Sequence, residues 1–294
     1  MQTLEKLDKK IRTAEELLSV VKTMKTLAAV NIRQYERSVA SLEAYRRVVD
    51  QGWQALVRYG GVEPGPVAEE KALLIIIGSD QGMCGQFNEV IATTGIAQYH
   101  RLREKGVAAG FWCVGEKVAA AMADEGIVPA LEYRTPGSLT TVNQMVSDMI
   151  RNLEEWRTSR GNGLFYLCHN VLSGKTGYGQ TCYSVLPLDS DWVRDHRDRP
   201  WPSRCMPLIG LSGKEMFRQL FRQHLYISIY RALVQSLAGE NSARLATMQA
   251  AEKNITELQG DLIRLHREKR QMSITNELLD IISGFEALED EAPS

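Results

Sequence analysis

The chain has 294 residues with 35 basic and 36 acidic side chains, so its formal net charge at pH 7 is -1. This balance excludes a strong bulk attraction to nucleic acid or to an anionic membrane surface. The purely apolar run Ala72–Ile77, which no other apolar run exceeds in length, is far too short to span a membrane, and the charged N-terminus is not typical of a signal peptide.

The five cysteines are dispersed along the chain without a C-x-x-C pair. They are Cys84, Cys113, Cys168, Cys182 and Cys205. This odd, scattered set is typical of a reducing compartment and predicts neither a disulfide framework nor a zinc site. The histidines also show neither H-x-x-x-H nor H-E-x-x-H spacing, so we expect no metal site.

The first segment, from Leu4 to about Leu56, predicts one long helix. It contains no proline, its first glycine is Gly52, and apolar residues recur at alternating steps of three and four. Only Lys25 and Arg46 interrupt that series. A 3.5-residue period held over this length predicts a coiled coil, and at 1.5 Å per residue the helix would be about 80 Å long.

The central region has the alternating pattern of an α/β domain, and the Gly/Pro-rich stretch 60–66 marks its boundary. The predicted strands are Ala72–Gly78, Val107–Val114, Val128–Tyr133, Leu164–Val171 and Thr181–Leu186. The predicted helices are Glu89–Glu104, Glu116–Glu125 and Leu139–Arg157. This alternation predicts a Rossmann-like, mainly parallel sheet with helices on both faces. The proline-rich stretch Trp192–Pro207 is predicted to be an irregular link.

The last segment, from about Gly213 to Leu288, predicts a second long helix without proline. Its apolar series is Met248, Ala251, Ile255, Leu258, Leu262, Leu265, Lys269 and Met272, with Lys269 as the exception. Gly239 and Gly260 predict close approach of another backbone. The first helix ends at the central domain and the last begins there, so a coiled coil between them must be antiparallel. The predicted domains are 1–58 (N-terminal helix), 70–190 (α/β domain) and 210–290 (C-terminal helix).

Two motifs suggest chemistry but also have simpler interpretations. Gly174-Lys175-Thr176 resembles the end of a P-loop, yet the required first glycine is replaced by His169 and a strand follows, which favours a hairpin turn. The stretch Gly78–Gln86 partly matches a cysteine nucleophile elbow around Cys84. A thiol nucleophile needs a base. The candidates for that base are His100, His169, His196, His224 and His266. A tight turn is favoured, and a cysteine-dependent α/β enzyme with a coiled-coil arm stays open as the alternative.

Basic residues cluster on both long helices. The clusters are Lys6, Lys9, Lys10, Arg12, Lys22 and Lys25 on the first helix, and Arg264, Arg267, Lys269 and Arg270 on the last. Interleaved aromatic residues are absent from the first cluster, which argues against nucleic-acid binding. A solvated helix face is favoured, with complementarity to an acidic partner as the other interpretation.

Three motifs together resemble the γ subunit family of F-type ATP synthases over essentially the whole chain. The C-terminal helix carries E-x-S-A-R-x3-M-x2-A-x2-N at Glu240–Asn254 and R-x2-R-Q-x2-I-T-x-E-L at Arg267–Leu278. S-D-x-G-x-C-G-x2-N follows the first strand at Ser79–Asn88, and M-K-x2-A-A lies at Met24–Ala29. Departures from the family pattern indicate a divergent bacterial member, with an alternative ATPase complex as one interpretation. They are Val20-Val21-Lys22, Asn31, Gln86 and His266.

The resemblance implies a central rotor shaft that couples ion flow through the membrane c ring to ATP synthesis or hydrolysis at the β subunits. It implies α, β and ε subunits and the c ring as partners, no catalytic site in this chain, and no cofactor. It further implies a peripheral location on the cytoplasmic face of the bacterial inner membrane, with membrane association only through the complex. The residues implied to contact the β subunit are Arg270, Gln271, Thr275, Glu277, Met24, Lys25 and Arg244.

Overall fold

The computed structural model describes residues 4–59, 70–161, 163–173, 177–188, 190–205 and 207–290. The elements in chain order are α1 (Leu4–Tyr59), β1 (Lys71–Ile77), α2 (Phe87–Glu104), β2 (Ala108–Val114), α3 (Glu116–Ala123), β3 (Leu131–Tyr133), α4 (Leu139–Arg160), β4 (Leu164–Ser173), β5 (Gly177–Leu186), α5 (Ser190–Asp198) and α6 (Gly213–Asp290). The predicted P-loop end, Gly174-Lys175-Thr176, lies outside the described residues. The strands on either side of it, β4 and β5, pair antiparallel.

The strands form one sheet in the order β3-β2-β1-β4-β5. The pairs β1–β2, β1–β4 and β2–β3 are parallel, and only β4–β5 is antiparallel. The central strand β1 is buried from Ala72 to Ile77, which explains its unbroken apolar run. Ile76 packs with Ile91 of α2 on one face, and Ile75 packs with Val146 of α4 on the other. The predicted α/β fold, with a mainly parallel sheet covered on both faces, is confirmed.

The chain divides into two compact units: residues 1–27 with 247–294, here called the helical unit, and residues 28–246, called the sheet unit. In the helical unit, Lys25 Nζ lies 2.5 Å from Glu252 Oε2, and Asp8 Oδ1 lies 3.1 Å from His266 Nε2. Residue numbers therefore rise along α6 as they fall along α1. The two helices run antiparallel in this unit.

The same antiparallel pairing occurs within the sheet unit. Asn31 Nδ2 donates to Asn241 Oδ1 at 3.3 Å, and Tyr45 Oη donates to Gln223 Oε1 at 2.6 Å. Further along α1, Trp53 packs in a cluster with Ile227 of α6. Each unit thus buries part of the apolar stripe of α1 against α6, as the sequence predicts.

The buried residues of α1 follow the predicted heptad closely, whereas those of α6 do not. Residues seven apart on α1 are all buried: Leu7, Ala14, Val21, Ala28 and Tyr35. On α6 the predicted seam is wrong at Leu258, Leu265 and Met272, which are 54%, 36% and 53% exposed. The polar contacts of Gln259 with Glu15 and of His266 with Asp8 place the seam one residue later.

Two further expectations need correction. Residues Ser190–Asp198 form a helix rather than an irregular link. The ring of Trp192 packs edge-on against that of Trp53, with the ring centroids 5.3 Å apart, and Pro200 comes only after the end of the helix. Cys168 and Cys182 form a disulfide bond, so the expectation of unpaired thiols is wrong for this pair. The antiparallel register of β4 and β5 sets them directly opposite each other, which spacing alone could not reveal.

Gly239 and Gly260 of α6 differ in their surroundings. A Cβ on Gly239 would lie 3.4 Å from the Phe87 ring and 3.7 Å from the carbonyl oxygen of Asn170. The predicted close approach is therefore confirmed there. At Gly260 a Cβ would meet no atom of the described chain within 4 Å, so that prediction is wrong for Gly260 within this chain.

Candidate functional site

The first candidate surface lies on the helical unit. Four predicted contact residues, Arg270, Gln271, Thr275 and Glu277, are all exposed on α6. Gln271 and Thr275 are one turn apart, so they share a helix face. Together, the four exposed side chains present guanidinium, amide, hydroxyl and carboxylate groups, a set suited to polar contacts with another protein.

An apolar row accompanies these polar residues on α6. Leu258, Leu265, Met272 and Leu279 follow each other at intervals of seven and are 54%, 36%, 53% and 55% exposed. An exposed apolar row at heptad spacing indicates a protein-binding surface. Sequence analysis missed this surface because three of these residues were assigned to the buried seam. The sequence signal that could have revealed it is a second heptad series on α6, which includes Gln259 and His266 and lies one residue after the apolar row.

The predicted contact residues on α1 are less exposed. Met24 and Lys25 are both half-buried in the helical unit. The Lys25 ammonium group pairs with Glu252 at 2.5 Å, so it already has an acidic partner within the chain. A further contact with an acidic partner would have to share or replace that ion pair.

The remaining predicted contact residue, Arg244, lies within the sheet unit and is buried. Its Nη2 atom donates to Glu240 Oε1 at 2.6 Å, one helical turn earlier on α6. Burial raises the pKa of Glu240 above its usual value, and the adjacent guanidinium of Arg244 offsets only part of that rise. A buried, hydrogen-bonded ion pair of this kind favours a role in holding the local packing.

The Ser79–Asn88 turn, which contains Cys84, is hydrogen-bonded to two other segments of the sheet unit. Asn88 Oδ1 accepts from the Ser79 amide at 2.8 Å. Asp80 accepts from the amides of Glu116 and Thr135, both at 2.9 Å. The turn therefore fixes the carboxyl end of β1 to the start of α3 and to the segment before α4.

A close backbone contact explains one glycine beside this turn. Gly115 has φ +106°, and a Cβ there would lie 2.6 Å from the backbone nitrogen of Ser79. No other residue type fits such a position without strain. The backbone geometry favours a structural interpretation of the motif.

The Cys84 thiol is poorly placed for nucleophilic chemistry. The side chain is 2% exposed, and its sulfur lies 3.6 Å from the Gln81 carbonyl oxygen and 3.7 Å from Asn88 Nδ2. Burial raises the pKa of Cys84, against a smaller lowering by its hydrogen bond with Ser79. The thiol is therefore protonated at neutral pH. Among the five candidate bases, the His169 ring contacts α6 instead of the thiol: its Nε2 atom lies 3.1 Å from Gln235 Oε1.

The described residues lack two further features. Among them, no cluster of three or more histidine, cysteine, aspartate or glutamate residues is arranged to hold a metal ion. None of the described helices combines the length and the apolar character that crossing a membrane requires.

A family model described as ATP synthase matches residues 3–288. The chain belongs to the ATP synthase gamma family. The ATP synthase gamma chain of Geotalea uraniireducens is 25% identical over 297 residues, which cover 98% of this chain and 99% of the relative. That of Bdellovibrio bacteriovorus is 24% identical over 295 residues, with the same coverage. Sequence identities of 24% and 25% are low, which agrees with the departures of this chain from the family motifs.

Solved structures share the fold of this gamma family member. A chain in the Euglena gracilis mitochondrial ATP synthase (OSCP/F1/c-ring, rotational state 3) matches with a TM-score of 0.64 and 17% identity, covering 99% of this chain and 97% of that one. A chain in the Tetrahymena thermophila mitochondrial ATP synthase central stalk/c-ring structure matches with a TM-score of 0.55 and 19% identity, covering 79% and 99%. These two matches show the fold, whereas the match of the family model to residues 3–288 confirms the predicted family.

Proposed function

We propose that this gamma chain is the central rotor shaft of its ATP synthase, coupling ion flow through the c ring to ATP synthesis and hydrolysis at the β subunits. The antiparallel pairing of α1 with α6 in each unit supports this role, because paired helices resist bending better than single ones. The solved structures that share this fold come from an OSCP/F1/c-ring assembly and a central stalk/c-ring assembly of mitochondrial ATP synthases. By that likeness we infer α, β and ε subunits and the c ring as partners.

The exposed surface of the helical unit carries the proposal of contact with β. Arg270, Gln271, Thr275 and Glu277 are exposed, and the apolar row from Leu258 to Leu279 runs along the same helix. We propose that the four polar residues meet a loop of the β subunit and that Met24 and Lys25 touch β from α1. Arg244 belongs to the same proposed set, although its burial favours an indirect part through Glu240.

Coupling then requires no chemistry in this chain. A shaft that contacts its surrounding subunits unequally stabilises a different conformation in each of them as it turns. We infer that the chain has no catalytic site of its own, and the buried, protonated Cys84 thiol supports this against the cysteine-enzyme alternative. The functional division we propose is 1–58 and 210–290 for the shaft, with 70–190 as the α/β domain.

We also propose a peripheral location on the cytoplasmic face of the bacterial inner membrane, reached only through the complex. The relatives named above are bacterial gamma chains, and the balanced charge of this chain supplies no strong attraction of its own to an anionic membrane. The c ring would then provide the attachment.

Affinity purification of the tagged full-length chain from native membrane extracts tests the proposed role. We expect α and β subunits to copurify, identified by mass spectrometry, and the purified assembly to hydrolyse ATP. A chain recovered with neither subunit would overturn the rotor proposal and leave a coiled-coil adaptor as the better interpretation.

A further inference from the structure

A cavity of about 500 Å³ opens in the sheet unit where five elements meet. α1, β4, β5, α5 and α6 all contribute side chains to its wall, so residues far apart in sequence converge on one space. The volume falls within the range of small-molecule sites. The proposed rotor function makes no use of this cavity.

Charged side chains line the cavity unequally. Three guanidinium groups, those of Arg46, Arg199 and Arg231, face two carboxylates, those of Asp50 and Asp195. Arg199 is closely paired with Asp195 at 2.6 Å, so it is largely neutralised. Arg46 Nη1 lies 4.0 Å from Asp50 Oδ2, so Arg231 is the guanidinium group that has no carboxylate partner among the described side chains lining the cavity.

Arg231 is the least neutralised of these cations. Its ion pair within the described residues is a 3.9 Å contact between Nη1 and Glu43 Oε1. Glu43 also binds Arg46 Nη2 at 2.9 Å, so one carboxylate serves two guanidinium groups. The charge of Arg231 also reaches the wall. Burial lowers the pKa of His169, and Arg231 adds to that lowering; burial raises the pKa of Tyr183, and Arg231 opposes that rise.

Several other polar groups that line the cavity are uncharged at pH 7. Burial, with a smaller contribution from Arg231, lowers the pKa of His169 to about 4, so its imidazole is uncharged at pH 7. The hydroxyl groups of Thr181, Tyr183 and Ser228 also line the cavity. Guanidinium groups with nearby hydroxyl donors are the combination that proteins use for phosphate oxygens.

We propose that this cavity binds a small organic phosphate, with Arg231 and Arg46 on the phosphate group and the hydroxyl-bearing side chains around the remainder. A phosphate monoester has three terminal oxygens and about two negative charges at pH 7, so it can accept more hydrogen bonds from the two guanidinium groups than a carboxylate can. The bound anion would link Arg46 of α1 to Arg231 of α6. It would also neutralise the part of their positive charge that the single carboxylate of Glu43 does not.

Isothermal titration calorimetry of the purified full-length chain tests this binding with glycerol 3-phosphate and AMP as probes. Glycerol and adenosine, at the same ionic strength, are the uncharged counterparts. We expect saturable one-to-one binding of at least one phosphate probe and of neither counterpart. Failure of both probes to saturate by millimolar concentration would overturn the proposal, as would equal binding of the uncharged compounds.

A pair of matched variants assigns the binding to the cavity. Arg231→Gln should weaken binding by about tenfold, because a charge-assisted hydrogen bond is lost. Arg222→Gln is the control: Arg222 lies on the same helix outside the cavity and also contacts one carboxylate, that of Glu154, at 3.9 Å. Equal weakening by both substitutions, or by neither, would contradict the assigned site. If Arg231→Gln loses its native circular dichroism, Ser228→Ala replaces it, with an expected loss of about fivefold.

Discussion

At the scale of single residues, Cys84 separates the rotor interpretation from the enzyme interpretation. Cys84→Ala removes one buried sulfur atom, and we expect the free energy of unfolding to fall by about 1 kcal/mol. ATP hydrolysis by the assembled complex should stay near the wild-type rate, because the protonated thiol takes no part in it. The two measurements are chemical denaturation of the chain and ATPase activity per assembled complex. Complete loss of hydrolysis in a complex of normal composition would restore the enzyme alternative.

The buried imidazole of His169 makes a second prediction at this scale, on pH. Its side chain is 1% exposed, and burial lowers its pKa from 6.5 to about 4. Between these values the unfolded chain binds more protons than the folded one, so stability is present above about pH 6.5 and is lost as pH falls towards 4. The loss from pH 7 to pH 5 should be on the order of 1–2 kcal/mol for this group.

Denaturant titrations of the wild type and His169→Gln at pH 7 and pH 5 measure this effect. The variant should lose less stability than the wild type over that interval, even if it is less stable at both pH values. His224, whose pKa burial also lowers to about 4, supplies a remaining dependence in the variant. An identical pH dependence in both proteins would show that His169 does not stay neutral.

At the scale of secondary-structure elements, two helical glycines should respond oppositely to alanine. A Cβ on Gly95 of α2 would lie 2.2 Å from Ile76 Cδ1 of β1, so Gly95→Ala forces either the buried Ile76 side chain or the helix to move. We expect a loss of about 1–3 kcal/mol, which exceeds the gain in helix propensity. Gly260→Ala meets no described atom within 4 Å and should stabilise α6 by up to about 1 kcal/mol.

Thermal unfolding of the two alanine variants beside the wild type checks this pair. A lower melting temperature for Gly95→Ala and an equal or higher one for Gly260→Ala are the expected results. If both substitutions raise the melting temperature, the packing of α2 on β1 is looser than the structure describes.

The same scale shows what the sequence could predict and why the rest was hidden. Apolar period alone predicted α1 and its buried heptad, because almost every seam position is apolar. On α6 the seam includes Gln259 and His266, and their polar partners on α1 could not be inferred from a hydrophobic pattern. Local propensity likewise could not predict α5, since Trp192 is held by the distant Trp53.

The candidate site was predictable to a similar, limited extent. The motif resemblance indicated Arg270 and its neighbours, which are exposed. It did not distinguish them from Arg244, because a motif records which residue types recur and not whether their side chains are buried. The Cys168–Cys182 pair and the arginine-lined cavity depend on strand register and on the convergence of five elements, which only coordinates supply.

At the scale of the whole molecule, the rotor proposal requires that some residues matter to the complex and not to the fold of the chain. Arg270 is exposed on α6, so replacing it should leave the free energy of unfolding of the isolated chain almost unchanged. In the assembled complex it is proposed to contact β, where loss of a charge-assisted contact is worth about 1–2 kcal/mol. Arg270→Gln should therefore lower the ATP hydrolysis rate per assembled complex by about five- to tenfold.

A matched substitution on the same helix decides whether that loss reflects contact or merely lost charge. Lys253 is 77% exposed and, like Arg270, is a cation of the helical unit; its nearest carboxylate is Glu257 at 3.9 Å. Lys253→Gln removes one positive charge from α6 outside the proposed contact, so its hydrolysis rate should stay within about twofold of the wild type. Normalising each rate to the copurified α and β subunits separates slow turning from poor assembly. Hydrolysis rates reduced equally in the two variants would mean that Arg270 contributes only its charge. The proposed β contact would then have to lie elsewhere on the surface of the helical unit.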